Sequence, residues 1–433
     1  MKKIIINKYM KYFILVGITL FILPSLTADP FRVVRAESVG MSTKRLERLT
    51  NQLDDYVDNN QLSGGVALVL RKGKAAYFRS FGYRDLDYKD PMEKDDIFRI
   101  ASQTKSIISV AIMILQERGQ LLIQDPVGDY ISEFDNTIVA VKEDDDYSVV
   151  KSNRKITIRD LLTHTAGVGW GLGPGKKDWE KADIIGWYFA DKNETIQETV
   201  KRIAKLPMDA QPGDNFVYGL STDILGALIE VVSKKPLNQF LQEEIFNPLN
   251  MKDTQFYLPI DKKDRLATVY SSTELGIVKS ADPGNRVSVS MIGQGHYITG
   301  PRKSFSGGAG LLSTAEDYAS FLQMILNGGT LNNNRIISRK TVELMTVDHI
   351  GEIKFPWENG IGFGLGFYIL KDLGIRGTPG SIGEYGWGGA YHSTYWVDPK
   401  ESLVVVYFTQ LIPALDIDDH DKLRTLIYQS IIN

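Results

Sequence analysis

Ser102 and Lys105 are the two residues whose types and spacing best fit a reaction, in the stretch Ile-Ala-Ser102-Gln-Thr-Lys105-Ser-Ile-Ile. Three apart, they share a face of a helix one turn from each other. A serine hydroxyl is a poor nucleophile until a neighbour takes its proton, and a desolvated lysine amine can do so near neutral pH. The chemistry this offers is acyl transfer through a covalent serine intermediate. The element that carries the pair has to be buried. Ile107, Ile108, Val110, Ala111, Ile112, Met113, Ile114 and Leu115 follow, apolar on all sides, before Gly119 ends the run. A lysine one turn into such a helix needs a partner or a task.

Spacing alone does not single out this pair, because Ser148/Lys151 and Ser152/Lys155 repeat it, and chance supplies roughly two such matches in a chain of this length. Both lie in the charged stretch 141–155, read as a solvated loop in which nothing would desolvate the lysine. A calcium site there lacks the ligand spacing of an EF-hand. Only Ser102 opens a buried helix, with its hydroxyl and N–H at the positive end of the dipole. The bland alternative for this segment is a serine N-cap beside a snorkelling lysine.

Around this helix the chain reads as an amphipathic helix over 42–62, with Leu46, Leu49, Leu53, Tyr56 and Val57 inward, then a hairpin of 65–71 with 75–83 turning at Lys72-Gly73. Helix and loop dominate 119–300. Capping boxes are read at Thr157 and at Ser313-Thr-Ala-Glu316, the latter opening a helix through Asn327, and a second apolar helix spans 223–232. Strand-like runs return at 362–370, 383–388, 391–397 and 402–409, followed by a helix over 422–432. The fold class this predicts is α/β (α+β): an antiparallel sheet built from both chain ends, flanked by N- and C-terminal helices, with a mostly helical inserted subdomain. The boundaries are one domain over 37–433, its α/β part about 37–118 and 305–433 and its helical part about 119–304.

The 433 residues are 43% hydrophobic and 24% charged, an ordinary globular composition. Lys2, Lys3, Lys8 and Lys11 precede an apolar run from Tyr12 to Leu23, the layout of a signal peptide over 1–36 with cleavage after Ala28 or after Ala36. The expected location is exported: secreted, periplasmic or at the cell envelope. An uncleaved membrane anchor is the alternative. Residues 1–36 hold six basic residues and one acid, so their removal leaves a more acidic protein, a poor partner for nucleic acid. The absence of cysteine excludes a thiol nucleophile, a lipidated cysteine and disulfides.

S-x-x-K is the signature of penicillin-recognising serine hydrolases, and from about Leu62 to Phe408 the chain resembles the class C β-lactamase and penicillin-binding-protein-like serine hydrolases, in particular their family VIII carboxylesterase branch. The resemblance rests on five segments in order: Ser102-Gln-Thr-Lys105; Leu161-Leu-Thr-His-Thr-Ala-Gly167; Phe216-Val-Tyr218 before an apolar helix; Gly307-Gly-Ala-Gly-Leu-Leu-Ser-Thr314; and Trp387-Gly-Gly-Ala390 followed by Val397-Asp-Pro399. It implies Ser102 as nucleophile, Lys105 and Tyr218 as the proton-transfer pair, and the N–H groups of Ser102 and Ala390 as the oxyanion hole. Trp387, Gly388 and Gly389 would border the substrate, and His164 would be structural.

Where this sequence departs from the family, the departures select the substrate. The second motif ends in Leu220 where β-lactamases and cell-wall peptidases usually carry asparagine, and no Lys-Thr-Gly or Lys-Ser-Gly occurs. An apolar, aromatic surface remains, suited to a neutral ester, with His392 as a partial substitute for the missing cation. There is no G-x-S-x-G elbow, no Walker loop and no G-x-G-x-x-G after a strand. The five histidines show no metal-ligand spacing, and residues 416–421 read as a solvated turn and helix cap. The expected protein is a cofactor-free, metal-free serine hydrolase acting on a small-molecule ester. β-Lactamase or D-alanyl-D-alanine carboxypeptidase activity on a cell-wall-related substrate is the alternative within the fold, and a catalytically silent binding protein is the alternative outside it. The membrane is a partner only if the N-terminal segment stays attached.

Overall fold

The computed structural model describes residues 31–144 and 146–433. The apolar run of the expected signal peptide lies outside them. Strands β1 (Gly64–Arg71) and β2 (Lys74–Asp85) form a hairpin at Lys72 and Gly73, whose φ values of 52° and 73° are the left-handed pair that a two-residue turn between twisted strands requires. After β3 (Asp90–Pro91) the chain leaves the sheet. It returns with β4 (Ile361–Phe363), β5 (Tyr368–Leu370), β6 (Tyr385–Gly389), β7 (Ser393–Asp398) and β8 (Leu403–Phe408). β8 pairs antiparallel with β1, Val66 opposite Phe408 and Arg71 opposite Leu403. One eight-stranded sheet of order β4-β5-β6-β7-β8-β1-β2-β3 thus joins the two chain ends, as expected.

The helices around it are α1 (Thr43–Asp58), α2 (Thr104–Glu117) with α3 (Ser221–Ser233) packed on it, α4 (Ala315–Leu326) and α5 (Asp419–Tyr428). Alternate strand residues face opposite layers. Ala67, Val69, Val405 and Tyr407 pack with Leu46, Leu49 and Leu53 of α1 and Leu423 and Ile427 of α5. On the other face Val66, Leu68, Val404, Val406 and Phe408 join the main core, which contains α2, α3 and α4. Every residue of α2 from Thr104 to Leu115 is buried, Lys105 included. Each of its large aliphatic side chains contributes about 1.5–3 kcal/mol of burial, and together they hold Lys105 away from water.

Local differences from the sequence reading have local causes. Ser102 lies in a 3-10 turn, Ala101–Gln103, ahead of α2 rather than in its first turn. The run 362–370 is two strands, because Gly366 at φ 93° reverses the chain between β4 and β5. Part of the charged stretch 141–155 is strand, Ile138–Lys142 pairing with Tyr147–Lys151, so that charge is carried on a hairpin. The cap of α4 is Thr314, whose side chain accepts the Asp317 N–H, one residue later than the expected Ser313. Ahead of the second candidate cleavage position, Phe31 is buried in the main core and the Val34 N–H donates to the Ala75 carbonyl.

Candidate active site

Ser102 follows a residue held in an unfavourable backbone conformation: Ala101, fully buried, has φ 41°, a region that typically costs an L-residue about 1–3 kcal/mol. Tertiary contacts hold the turn in place. Ile100 donates its N–H to Leu311, and the Gln103 side-chain amide donates to Ser393 Oγ at 2.9 Å. One turn on, Lys105 Nζ donates to Ser102 Oγ at 3.2 Å and to the Gly308 carbonyl at 2.7 Å, with only 2% of the lysine exposed.

Gly308 is a second junction of the site. Its carbonyl accepts from Lys105 while its N–H donates to Asp223 Oδ1 at 3.0 Å, an oxygen that also accepts from Ser306 Oγ at 2.6 Å. The two groups belong to successive peptide units, so Gly308 links the ammonium to the carboxylate by position: fixing its N–H on Asp223 fixes the carbonyl that holds Lys105. Burial raises the carboxyl of Asp223 above its ordinary range, opposed by these hydrogen bonds and by Lys105. The close approach needs glycine, since a Cβ at Gly308 would lie 2.3 Å from Asp223 Oδ2 and one at Gly307 2.4 Å from the Thr222 carbonyl. Among the described residues no carboxylate forms a salt bridge with Lys105. The face of the Tyr218 ring lies 4.6 Å from its ammonium, a cation–π contact.

The Tyr218 hydroxyl accepts a hydrogen bond from Trp387 Nε1 at 2.9 Å. Its ring is boxed in by Trp170 at 5.2 Å, Trp357 at 5.1 Å, Trp387 at 5.3 Å and His164 at 4.6 Å between centroids. Burial, and then the charge of Lys105, hold the His164 imidazole well below its usual range, so it packs here as a neutral ring.

Ser102, Tyr218, Trp387, Gly388, Gly389, Ala390 and His392 all line one open cleft of about 890 Å³. The end of β6 packs directly on the turn that bears the serine: a Cβ at Gly389 would lie 2.6 Å from the Ile100 carbonyl, the close backbone approach that two glycines in a strand suggest. Leu220 does not belong to this set. It is fully buried at the N-cap of α3 and is absent from the cleft lining, because its side chain points into the core. The apolar wall comes instead from Trp170, Phe355 and Trp357. Of these only Trp170 had a sequence signal, its place between Gly169 and Gly171 just after the His164 segment.

His392 lines the cleft in a left-handed conformation, φ 61°. Its Nε2 is 2.7 Å from Asp419 Oδ1, and its ring stacks on His420 with centroids 4.2 Å apart. Asp419 is therefore a buried partner of a cleft residue rather than part of a solvated turn.

A large antiparallel sheet with a serine–lysine pair at the start of a core helix defines a mixed α/β protein of the β-lactamase and transpeptidase type. The chain belongs to the Beta-lactamase family, whose profile matches residues 49–428. It is 30% identical to Esterase EstB of Burkholderia gladioli over 84% of this chain and 89% of that protein. To the lovastatin esterase of Penicillium rubens it is 27% identical, over 84% of this chain and 92% of that one. The solved structure of EstCE1, a hydrolase with promiscuous acyltransferase activity, superposes with a TM-score of 0.75 at 26% identity, covering 91% of this chain and 99% of that one.

Proposed function

We propose that this protein is an exported serine hydrolase that forms an acyl-enzyme on Ser102, acting on small neutral carboxylic esters. The observation that carries the reading is the buried Lys105 Nζ within 3.2 Å of Ser102 Oγ, the nucleophile–base geometry that activates a hydroxyl. Lys105 and Tyr218, as the proton-transfer pair, take the Ser102 proton as the hydroxyl attacks the ester carbonyl and return it to the leaving alcohol. Water then repeats the sequence on the acyl-enzyme. The N–H groups of Ser102 and Ala390 receive the developing oxyanion, a contribution of about 3 kcal/mol per donor in comparable sites.

Two features support an ester over an anionic β-lactam or peptide. The walls are aromatic, and the arginines of the cleft are already paired: Arg424 Nη1 is 2.7 Å from Glu384 Oε2 and Arg376 Nη1 is 3.1 Å from Glu384 Oε1. Recruiting either for a substrate carboxylate would take one of the two cations away from the buried Glu384. Cleavage after Ala28 suits this export better than cleavage after Ala36, since the latter removes the buried Phe31.

The test exposes wild type and Ser102→Ala to an active-site serine phosphonate, short-chain nitrophenyl esters and a chromogenic cephalosporin. The wild type should take up the phosphonate and cleave the esters, and the variant should do neither. Equal behaviour of the two proteins would refute the enzyme reading. Fast cephalosporin turnover with negligible ester cleavage would refute the ester preference.

A further inference from the structure

An acyl-enzyme mechanism on Ser102 leaves one cluster at the same cleft without a task. His392 stands in the turn between β6 and β7, and Asp419 and His420 open α5, 27 and 28 residues further on in the chain. The Asp419 side chain is 1% exposed, bonded to His392 Nε2 at 2.7 Å through Oδ1 and to the Tyr407 hydroxyl at 2.8 Å through Oδ2. His420 stacks on His392, and its Nε2 is buried with no hydrogen-bond partner among the described residues. A buried ring nitrogen left unbonded carries a desolvation penalty that another ligand would relieve.

We propose that His392, Asp419 and His420 form a binding site for a divalent transition-metal ion of the zinc type, opening onto the Ser102 cleft. One ligand atom from each residue lies within 4.8 Å of the others. Zinc–ligand bonds of about 2.0–2.2 Å at tetrahedral angles stand two ligands about 3.4 Å apart, a spacing that the 2.7 Å His392–Asp419 pair and the 4.8 Å limit of the set bracket, so side-chain adjustment on binding has to close it. Two imidazoles and a carboxylate with one open position are the donor set of three-ligand zinc sites, whereas calcium and magnesium take oxygen ligands. The open position faces the cleft, which His392, His420 and Asp421 line.

The Tyr407 hydroxyl, 2.8 Å from Asp419 Oδ2, is the outer partner that orients a ligating carboxylate. An incoming ion replaces the His392–Asp419 hydrogen bond with two metal bonds.

Metal-free full-length protein titrated with zinc chloride in a calorimeter should take up one equivalent, and His420→Ala should bind at least tenfold more weakly while its circular dichroism spectrum is unchanged. His420→Gln, which keeps the volume filled, gives the same answer if the alanine variant unfolds. Cobalt(II) should develop a visible absorption band in the wild type that Asp419→Asn abolishes. Absence of saturable uptake, or affinity unaltered in both His420 variants, would overturn the site. Every arm reads binding, so the outcome is independent of whether Ser102 is the nucleophile.

Discussion

Trp387 donates its indole N–H to the hydroxyl of Tyr218 across 2.9 Å, tying the glycine-rich end of β6 to the segment that leads into α3. The bond leaves Tyr218 with its oxygen toward a donor and its ring face toward Lys105. Together the two contacts fix both the oxygen and the ring plane of Tyr218 beside the serine–lysine pair.

Trp387→Phe keeps an aromatic ring and removes the donor. We expect kcat on a short nitrophenyl ester to fall about tenfold, the equivalent of roughly 1.4 kcal/mol, with KM changed little. Unaltered kcat would mean that the Tyr218 oxygen takes no part in the rate-limiting step.

Lys105→Ala should abolish labelling of Ser102 by a phosphonate, slowing it by about 10²–10⁴-fold, while unfolding stays cooperative. No carboxylate forms a salt bridge with Lys105 among the described residues, and Asp223, the buried carboxyl its charge acts on, keeps its hydrogen bonds from Ser306 and the Gly308 N–H in the variant. Labelling at the wild-type rate would locate the base elsewhere.

Gly308→Ala inserts a Cβ 2.3 Å from Asp223 Oδ2. The backbone must shift and take with it the carbonyl that holds Lys105. The expected result is a loss of about 1–3 kcal/mol in urea unfolding together with loss of ester cleavage. Wild-type stability would show that the Asp223 side chain yields instead.

Asp209 supplies a pH-dependent test. Burial raises its carboxyl to about 6, and its Oδ1 is buried without a hydrogen-bond partner. The native state therefore holds this proton more tightly than the unfolded chain, and the group's contribution, fully present below about pH 4, is lost as pH rises through about 6. Asp209→Asn should be more stable than wild type at pH 8, by up to about 3 kcal/mol, with the advantage gone near pH 4. A pH-independent difference would be the contrary result.

Much of the scaffold was legible because it is written in local periods. The Lys72-Gly73 turn, the amphipathic α1 and the all-round apolar α2 each follow from residues close in sequence, and the antiparallel sheet followed from strand runs at the two chain ends. Short irregular elements were not. The hairpin in the charged stretch and the split of β4 from β5 depend on backbone reversals that hydrophobic patterning does not register.

What this sequence determines by itself is the identity of the one serine–lysine pair that a buried helix carries, and the order of the elements around it. The tertiary structure decides which side chains meet there. It turns Leu220 into the core, supplies the walls from Trp170, Phe355 and Trp357, sets Gly308 between Lys105 and Asp223, and closes His392 on Asp419 and His420. The physical reason is that periodicity reports which face of an element is apolar. Convergence of distant residues is fixed by the pairing of β8 with β1 and by close backbone approaches at glycines, neither of which has a local period.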